Sequence, residues 1–141
     1  MVQFINENTK IPVLPKRKLI QWIKSTAEEY EKKTGDISYI FCSEEKILEI
    51  NRQYLNHDYF TDIITFDYSE NNVISGDIFI SPETIKTNAE DFKVDFEEEI
   101  LRIIIHGILH LCGQDDKSPE SKLIMTAKED KALNAYKSTL P

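Results

Sequence analysis

The strongest constraint on the fold of this chain is a long apolar segment that carries two histidines. Apolar residues in segment 96–112 recur around most of the circumference of a helix, so we predict a buried helix there. His106 and His110 are four residues apart and therefore lie on one face of that helix. Gly113 ends the apolar segment, and two adjacent aspartates follow it.

This arrangement predicts a metal site. Both imidazoles can reach one ion, and a turn at the glycine can return a carboxylate, from Asp115 or Asp116, as a third ligand. The spacing does not choose between the two aspartates. Three protein ligands leave one position open to water, as in catalytic metal sites. The alternative is a pair of core histidines bonded to backbone carbonyls, which is less favoured because it does not explain the following glycine and carboxylates.

Two other classes of metalloenzyme fit the motif less well. Zinc proteases place a glutamate directly after the first histidine as a general base, and Gly107 stands at that position here. The glycine leaves room for a close approach of backbone or substrate. Non-haem iron oxygenases also use two histidines and one carboxylate, but those ligands normally come from strands with a different spacing.

Length and charge set broad limits. The 141 residues suit a single domain over residues 1–141, and the net charge is −8, from 17 basic and 25 acidic residues. Such a balance argues against tight nonspecific binding to nucleic acid, which needs a strong positive patch. We find no apolar run of membrane-spanning length and no signal peptide, so we expect a cytoplasmic protein that does not bind membranes.

The remaining sequence predicts an α+β domain, a mixed sheet covered by helices largely on one face, with the metal-binding helix near the C-terminus. Gly35 is expected to interrupt the chain before a strand, and Asp95 and Glu98 to form a capping box before the site helix. We predict strands over residues 2–5, 37–42, 62–68 and 73–81, and helices over residues 16–33, from 43, from 81, over 96–112 and over about 119–137.

Three segments resemble the YbeY family, metal-dependent endoribonucleases that act as ribosomal RNA maturation factors. The family shows His-Gly-x-Leu-His-Leu-x-Gly-x-Asp-His near its C-terminus, and residues 106–115 read HGILHLCGQD. A second family segment is similar to residues 50–66, INRQYLNHDYFTDIITF, and a third to residues 76–80, GDIFI. The order and spacing of all three match over nearly the whole chain.

The resemblance implies an α+β fold and one Zn²⁺ per chain, held by His106, His110 and Asp116. It also implies a single-strand-specific endoribonuclease whose partner is ribosomal RNA of the small ribosomal subunit. The expected roles are processing of the 3′ end of that RNA and ribosome quality control. A non-catalytic ribosome-assembly factor with a structural metal, and a metallohydrolase with another substrate, remain alternatives.

Two positions depart from the family pattern. Asp116 stands where the pattern has a third histidine. Aspartate is a competent zinc ligand, and its charge should raise the pKa of a bound water and favour harder ions such as Mn²⁺. Leu55 stands where the pattern has an arginine suited to phosphate, and Arg52 and His57 are nearby candidates to replace that arginine.

Three further residues are candidates for catalysis or substrate binding. His57 suits acid–base work or phosphate contact, with a solvated loop histidine as the alternative. Asp77 is a candidate to orient a ligand or a water, with a cap on a backbone group as the alternative. Arg102, one turn before His106, either meets a substrate phosphate or pairs with Glu98 or Glu99.

Overall fold

One mixed sheet organises the domain. The computed structural model describes residues 1–7, 9–10, 13–55 and 61–138. Within these ranges the sheet has four strands in the order β1-β2-β4-β3, where β2 is parallel to β1 and β4, and β3 is antiparallel to β4. The strands are β1 (Val2–Asn6), β2 (Lys33–Phe41), β3 (Ile63–Asp67) and β4 (Val73–Ile80). β3 lies at one edge of the sheet, and its residues line the cleft beside His106 and His110.

Five helices accompany the sheet in the described ranges, which confirms the predicted α+β class. They are α1 (Lys16–Glu29), α2 (Glu44–Tyr54), α3 (Pro82–Phe92), α4 (Phe96–Leu111) and α5 (Pro119–Ser138). Serines cap two of them: the side chain of Ser43 accepts from the Lys46 amide at 3.1 Å, and that of Ser81 from the Thr84 amide at 3.3 Å. No helix in these ranges is both long enough and apolar enough to cross a membrane.

The main core lies between the sheet and α4, and α1, α3 and α5 pack around that helix. The hydroxyl of Tyr39 on β2 donates to the carbonyl of Ile104 at 2.8 Å, which ties the helix to the sheet. Gly107 faces the sheet so closely that an added Cβ would lie 3.0 Å from Cδ1 of Ile78. The glycine within the histidine motif therefore serves the approach of α4 to β4.

The opposite face of the sheet is covered by α2. A smaller apolar cluster there contains Cys42, Ile47, Ile50 and Ile64, with Phe66 and Phe79 against it. Four helices thus belong to the α4 side and one to the other, in agreement with the predicted one-sided cover.

Two local predictions were wrong. Gly35 lies inside β2, next to a register shift between Thr34 and Ile37. A glycine is needed there because an added Cβ would come within 2.8 Å of Oγ of Ser75. Asp95 does precede α4, but its side chain makes no capping hydrogen bond, so the predicted capping box is absent.

Candidate metal centre

Two helical imidazoles and one carboxylate converge at the C-terminal end of α4. The Oδ2 atom of Asp116 lies 3.3 Å from Nε2 of His106 and 3.5 Å from Nε2 of His110. The two imidazole rings are 4.6 Å apart between centroids and nearly perpendicular. All three side chains are half-buried, so the cluster is sheltered by protein on one side and open on the other.

The turn after α4 explains why Asp116, and not Asp115, faces the histidines. Gly113 adopts φ of 101°, a left-handed conformation that favours glycine, and its amide donates to the His110 carbonyl at 2.9 Å. The chain then reverses toward the helix. Oδ1 of Asp115 is engaged locally, accepting from the Lys117 amide at 2.8 Å. The structure therefore brings Asp116 to the two imidazoles.

The distances from the Asp116 carboxylate oxygen to the two imidazole nitrogens fit a small divalent ion, and all three donor atoms lie within 4.8 Å of one another. Bonds of roughly 2.0–2.2 Å in a tetrahedral arrangement separate neighbouring ligand atoms by roughly 3.4 Å. The two measured separations from Asp116 are 3.3 and 3.5 Å. Two imidazole nitrogens and one carboxylate oxygen also suit zinc and related transition metals chemically.

A buried glutamate of α5 contacts the other nitrogen of one imidazole. Oε2 of Glu129 lies 2.5 Å from Nδ1 of His106, and the Glu129 side chain is 8% exposed. Nη1 of Arg102 donates to Oε1 of the same carboxylate at 2.9 Å. Such a carboxylate behind a ligating histidine is a recurrent feature of metal sites.

The pKa values of the two histidines are shifted in opposite directions. Burial lowers the pKa of His106, but the hydrogen bond and charge of Glu129, helped by Asp116 and Asp62, outweigh it and raise that pKa overall. Burial and the charge of His106 lower the pKa of His110. The neutral form that metal ligation needs is therefore favoured at His110, whereas a metal must displace a more tightly held proton from His106.

The cluster opens onto a cleft of about 580 Å³. Edge strand β3 and the end of α2 form the opposite wall. The described residues that line the cleft are Asn51, Leu55, Thr61, Asp62, Ile63, Ile64, Thr65, Asp67 and Ile103, together with the three members of the cluster. Its volume lies within the range of small-molecule binding sites, so the cleft has room for part of a substrate beside the cluster.

Asp62 is a further acidic group in this cleft, beside Asp67 and Asp116. Its Oδ2 accepts from Nδ2 of Asn88 at 3.4 Å, and its carbonyl accepts from the Ser81 amide at 3.0 Å. Burial raises the pKa of Asp62, and the charge of His106 opposes this only in part. Glu99, buried on α4, also has its pKa raised, first by burial and then by the charge of Asp62. A carboxylate with a raised pKa that lines a cleft, as Asp62 does, is typical of functional sites.

The other predicted site residues lie elsewhere. His57 falls in segment 56–60, outside the described residues, so its role stays a prediction. Asp77 alternates along β4 with Ile78, which faces α4, so its carboxylate is on the opposite face of the sheet. There it accepts from the Tyr68 hydroxyl at 3.3 Å. The structure does not bring Asp77 to the cluster, and this placement gives no support to its predicted part in the site.

Arg102 does not make the contacts that were expected. Its guanidinium donates to Glu129 and, at 2.7 Å, to Oδ1 of Asp130, both on α5. The predicted partners Glu98 and Glu99 are replaced by residues 27 and 28 positions further along the chain. Arg102 therefore holds the Glu129 carboxylate in place, on the side of His106 that faces away from Asp116.

Sequence reasoning missed both Glu129 and Asp62. A signal for Glu129 was present: it sits in the apolar stripe of α5 with Met125, Ala132, Leu133 and Tyr136. A charge in the middle of a buried stripe requires a partner. Asp62 had no comparable signal, because its contacts with Ser81 and Asn88 join segments that are distant in the sequence.

Fold and site together define a class: an α+β domain in which a helix and the turn after it present two imidazoles and a carboxylate to an open cleft. Comparison with known proteins gives the family. The sequence model of the family described as Endoribonuclease YbeY matches residues 2–137. The chain belongs to this family, which confirms the resemblance inferred from the three sequence segments.

Individual proteins are also similar to this chain over most of its length. Proteins named Endoribonuclease YbeY from Parabacteroides distasonis and Bacteroides fragilis are each 60% identical over 132 residues, 94% of this chain and 93% and 95% of theirs. One from Porphyromonas gingivalis is 43% identical over 139 residues, 99% of this chain and 92% of its own. The solution structure of TM1509 from Thermotoga maritima superposes with a TM-score of 0.64 at 28% identity, covering 98% of this chain and 93% of that one.

Proposed function

We propose that this protein is a zinc-dependent endoribonuclease that cuts single-stranded RNA. One observation carries the proposal: in a chain of the YbeY family, two imidazoles and a carboxylate with metal-ligand spacing open onto a cleft. A structural zinc site would instead be closed by four protein ligands.

His106 and His110, through Nε2, and Asp116, through Oδ2, would hold the ion. A bound Zn²⁺ supplies Lewis acidity toward a phosphoryl oxygen and lowers the pKa of water from about 15.7 to near 7. Asp116 adds a negative charge that a third histidine would lack. We therefore expect weaker acidification of water than with three histidines, and greater tolerance of harder ions such as Mn²⁺.

The charge of the cleft makes a cation necessary for phosphate binding. Among the described residues that line it, three are aspartates, Asp62, Asp67 and Asp116, and none is lysine or arginine. A phosphodiester would be repelled by these carboxylates unless a cation lay between them. RNA binding in this cleft should therefore depend on the metal as strongly as cleavage does.

Asp62 is our candidate for the proton acceptor of the reaction. It shares the cleft with the cluster, and its desolvated carboxylate has a raised pKa, which increases its affinity for a proton. Asn88 holds Oδ2, which orients the group. His57 remains a second candidate for acid–base work, on sequence grounds alone.

The proposed biological substrate is ribosomal RNA of the small subunit, cut near its 3′ end in the cytoplasm during ribosome maturation and quality control. This part of the proposal depends on the family relationship. The test uses zinc-loaded protein with a single-stranded RNA of that 3′ region and with the same RNA annealed to its complement. We expect cleavage of the single strand only.

Asp116→Ala should abolish this cleavage, and Asp115→Ala is the matched control because its carboxylate engages the turn. Equal cleavage by wild type and Asp116→Ala would refute the proposal, since the activity would then come from elsewhere.

A second function is favoured by Leu55 and by the acidic cleft: a ribosome-assembly factor in which the metal is structural and nothing is cut. Both features weaken the attraction of RNA phosphates to the site. If this function is correct, wild-type protein will bind small ribosomal subunits without cutting their RNA. Asp116→Ala will then lower the melting temperature but, while folded, bind the subunits equally well.

A further inference from the structure

We propose that Glu129 is a positioning residue that fixes the proton of His106 on Nδ1 and so leaves Nε2 free to bind the metal. This inference rests on the proposed metal site and adds to it a residue on a different helix. Glu129 lies in α5, outside the histidine motif, and would not itself contact the ion.

The contact geometry assigns the tautomer. Oε2 of Glu129 lies 2.5 Å from Nδ1 of His106, while Nε2 of the same ring faces Asp116 at 3.3 Å. A carboxylate can only accept a hydrogen bond, so Nδ1 must carry the proton. The neutral ring then has its lone pair on Nε2, the nitrogen directed at the metal position.

The carboxylate is held from two directions. Arg102 donates from Nη1 to Oε1 of Glu129 at 2.9 Å and from Nη2 to Asp130 at 2.7 Å. The α5 backbone is anchored beside it, because Nε1 of Trp22 donates to the Ala132 carbonyl at 2.8 Å in the core. Glu129 therefore has one oxygen for Arg102, one for His106, and little freedom to move.

The two oxygens make an isosteric substitution informative. In Glu129→Gln, one of the two oxygen positions becomes an amide that donates. If the amide nitrogen faced Arg102, two hydrogen-bond donors would meet, one of them charged. The remaining oxygen of the substituted side chain should therefore stay with Arg102. The amide then donates to Nδ1 of His106, and the ring proton moves to Nε2, where Asp116 can accept it. The metal position would thus meet an N–H in place of a lone pair.

The test compares wild type, Glu129→Gln and Asp130→Asn. Asp130→Asn is the matched control, because it also removes one carboxylate from Arg102 but none from His106. Zinc affinity is measured by competition with a chromophoric chelator, and folding by circular dichroism. We expect about a 10–100-fold loss of zinc affinity in Glu129→Gln and a much smaller change in Asp130→Asn.

A second measurement reads the tautomer directly. Nitrogen-15 chemical shifts of the His106 ring are recorded in metal-free protein at alkaline pH, where the ring is neutral. We expect the proton on Nδ1 in wild type and Asp130→Asn, and on Nε2 in Glu129→Gln. A purely structural role of Glu129 would not move this proton.

The outcomes separate this inference from the metal site itself. Wild type that binds no zinc refutes the proposed site, but the tautomer measurement still decides the role of Glu129. Wild type with the proton on Nε2, or a folded Glu129→Gln with unchanged zinc affinity and tautomer, overturns the inference. If Glu129→Gln does not fold, the tautomer of wild type alone decides it.

Discussion

Nδ1 of His106 on α4 lies 2.5 Å from Oε2 of Glu129 on α5, although the two residues are 23 positions apart in the sequence. The opposite nitrogen of the same ring faces Asp116. The histidine is therefore held between a buried carboxylate behind it and a half-buried carboxylate in front. The final helix thus supports the site although it contributes none of the candidate ligands.

Restoring an arginine at Leu55 should strengthen RNA binding. The Leu55 side chain lines the cleft and is 40% exposed, so an arginine there can reach a phosphate in the cleft. For Leu55→Arg we expect tighter binding of zinc-loaded protein to 2′-O-methylated single-stranded RNA, measured by fluorescence anisotropy over a range of salt concentrations. One added phosphate contact should steepen the plot of log K against log salt by about 0.7.

Leu123→Arg is the control for this gain, because Leu123 is 74% exposed on α5 and does not line the cleft. It adds the same charge at another surface. Equal tightening in the two variants would show that net charge, and not the cleft, controls binding.

Asp62→Asn should stabilise the protein at neutral pH and slow RNA cleavage. Burial raises the pKa of Asp62, so keeping it ionised in the fold costs stability above its folded pKa. That cost disappears below the unfolded value of about 4. We therefore expect a higher melting temperature than wild type at pH 7, and a gain that vanishes as the pH falls below that value.

Asp67→Asn is the comparison, since Asp67 lines the same cleft but is exposed. We expect no comparable gain from it. A melting temperature of Asp62→Asn at or below that of wild type at pH 7 would contradict the assigned cost of burial. Unchanged cleavage would remove Asp62 as the proton acceptor.

Gly76→Ala should destabilise the sheet next to the site. An added Cβ at Gly76 would lie 2.4 Å from the backbone oxygen of Phe66 and 3.1 Å from Cδ2 of Leu111. The oxygen cannot move without disturbing the pairing of β3 with β4. We expect the free energy of unfolding, measured by urea denaturation, to fall by about 1–3 kcal/mol. Ser75→Ala should change it much less, and an unaltered Gly76→Ala would show that β3 adjusts freely.

The part of the site that sequence predicted is local. His106 and His110 lie on one helix, and Asp116 follows a glycine turn, so helical spacing and turn chemistry were enough to bring them together. The choice of Asp116 over Asp115 required the family resemblance, and the structure explains it by the contact of Asp115 with Lys117.

What sequence did not predict depends on packing between distant elements. Glu129 meets His106 because α5 packs against α4, and the half-buried Asp62, which directly precedes β3, contacts Ser81 and Asn88 at α3. Gly35 was predicted to interrupt the chain, but it lies within β2. The glycine is needed there because β4 approaches so closely that no side chain would fit. Strand alternation would have placed Asp77 away from α4, since its neighbour Ile78 is the apolar, inward-facing residue.

The most direct test of the three-ligand metal site is the zinc content of purified, zinc-reconstituted protein by elemental analysis, beside Asp116→Ala and Asp115→Ala. We predict about one zinc per chain in wild type and in Asp115→Ala, and loss of that zinc in a folded Asp116→Ala. Wild type without zinc after reconstitution, or Asp116→Ala that retains a full equivalent, would contradict the proposed three-ligand site.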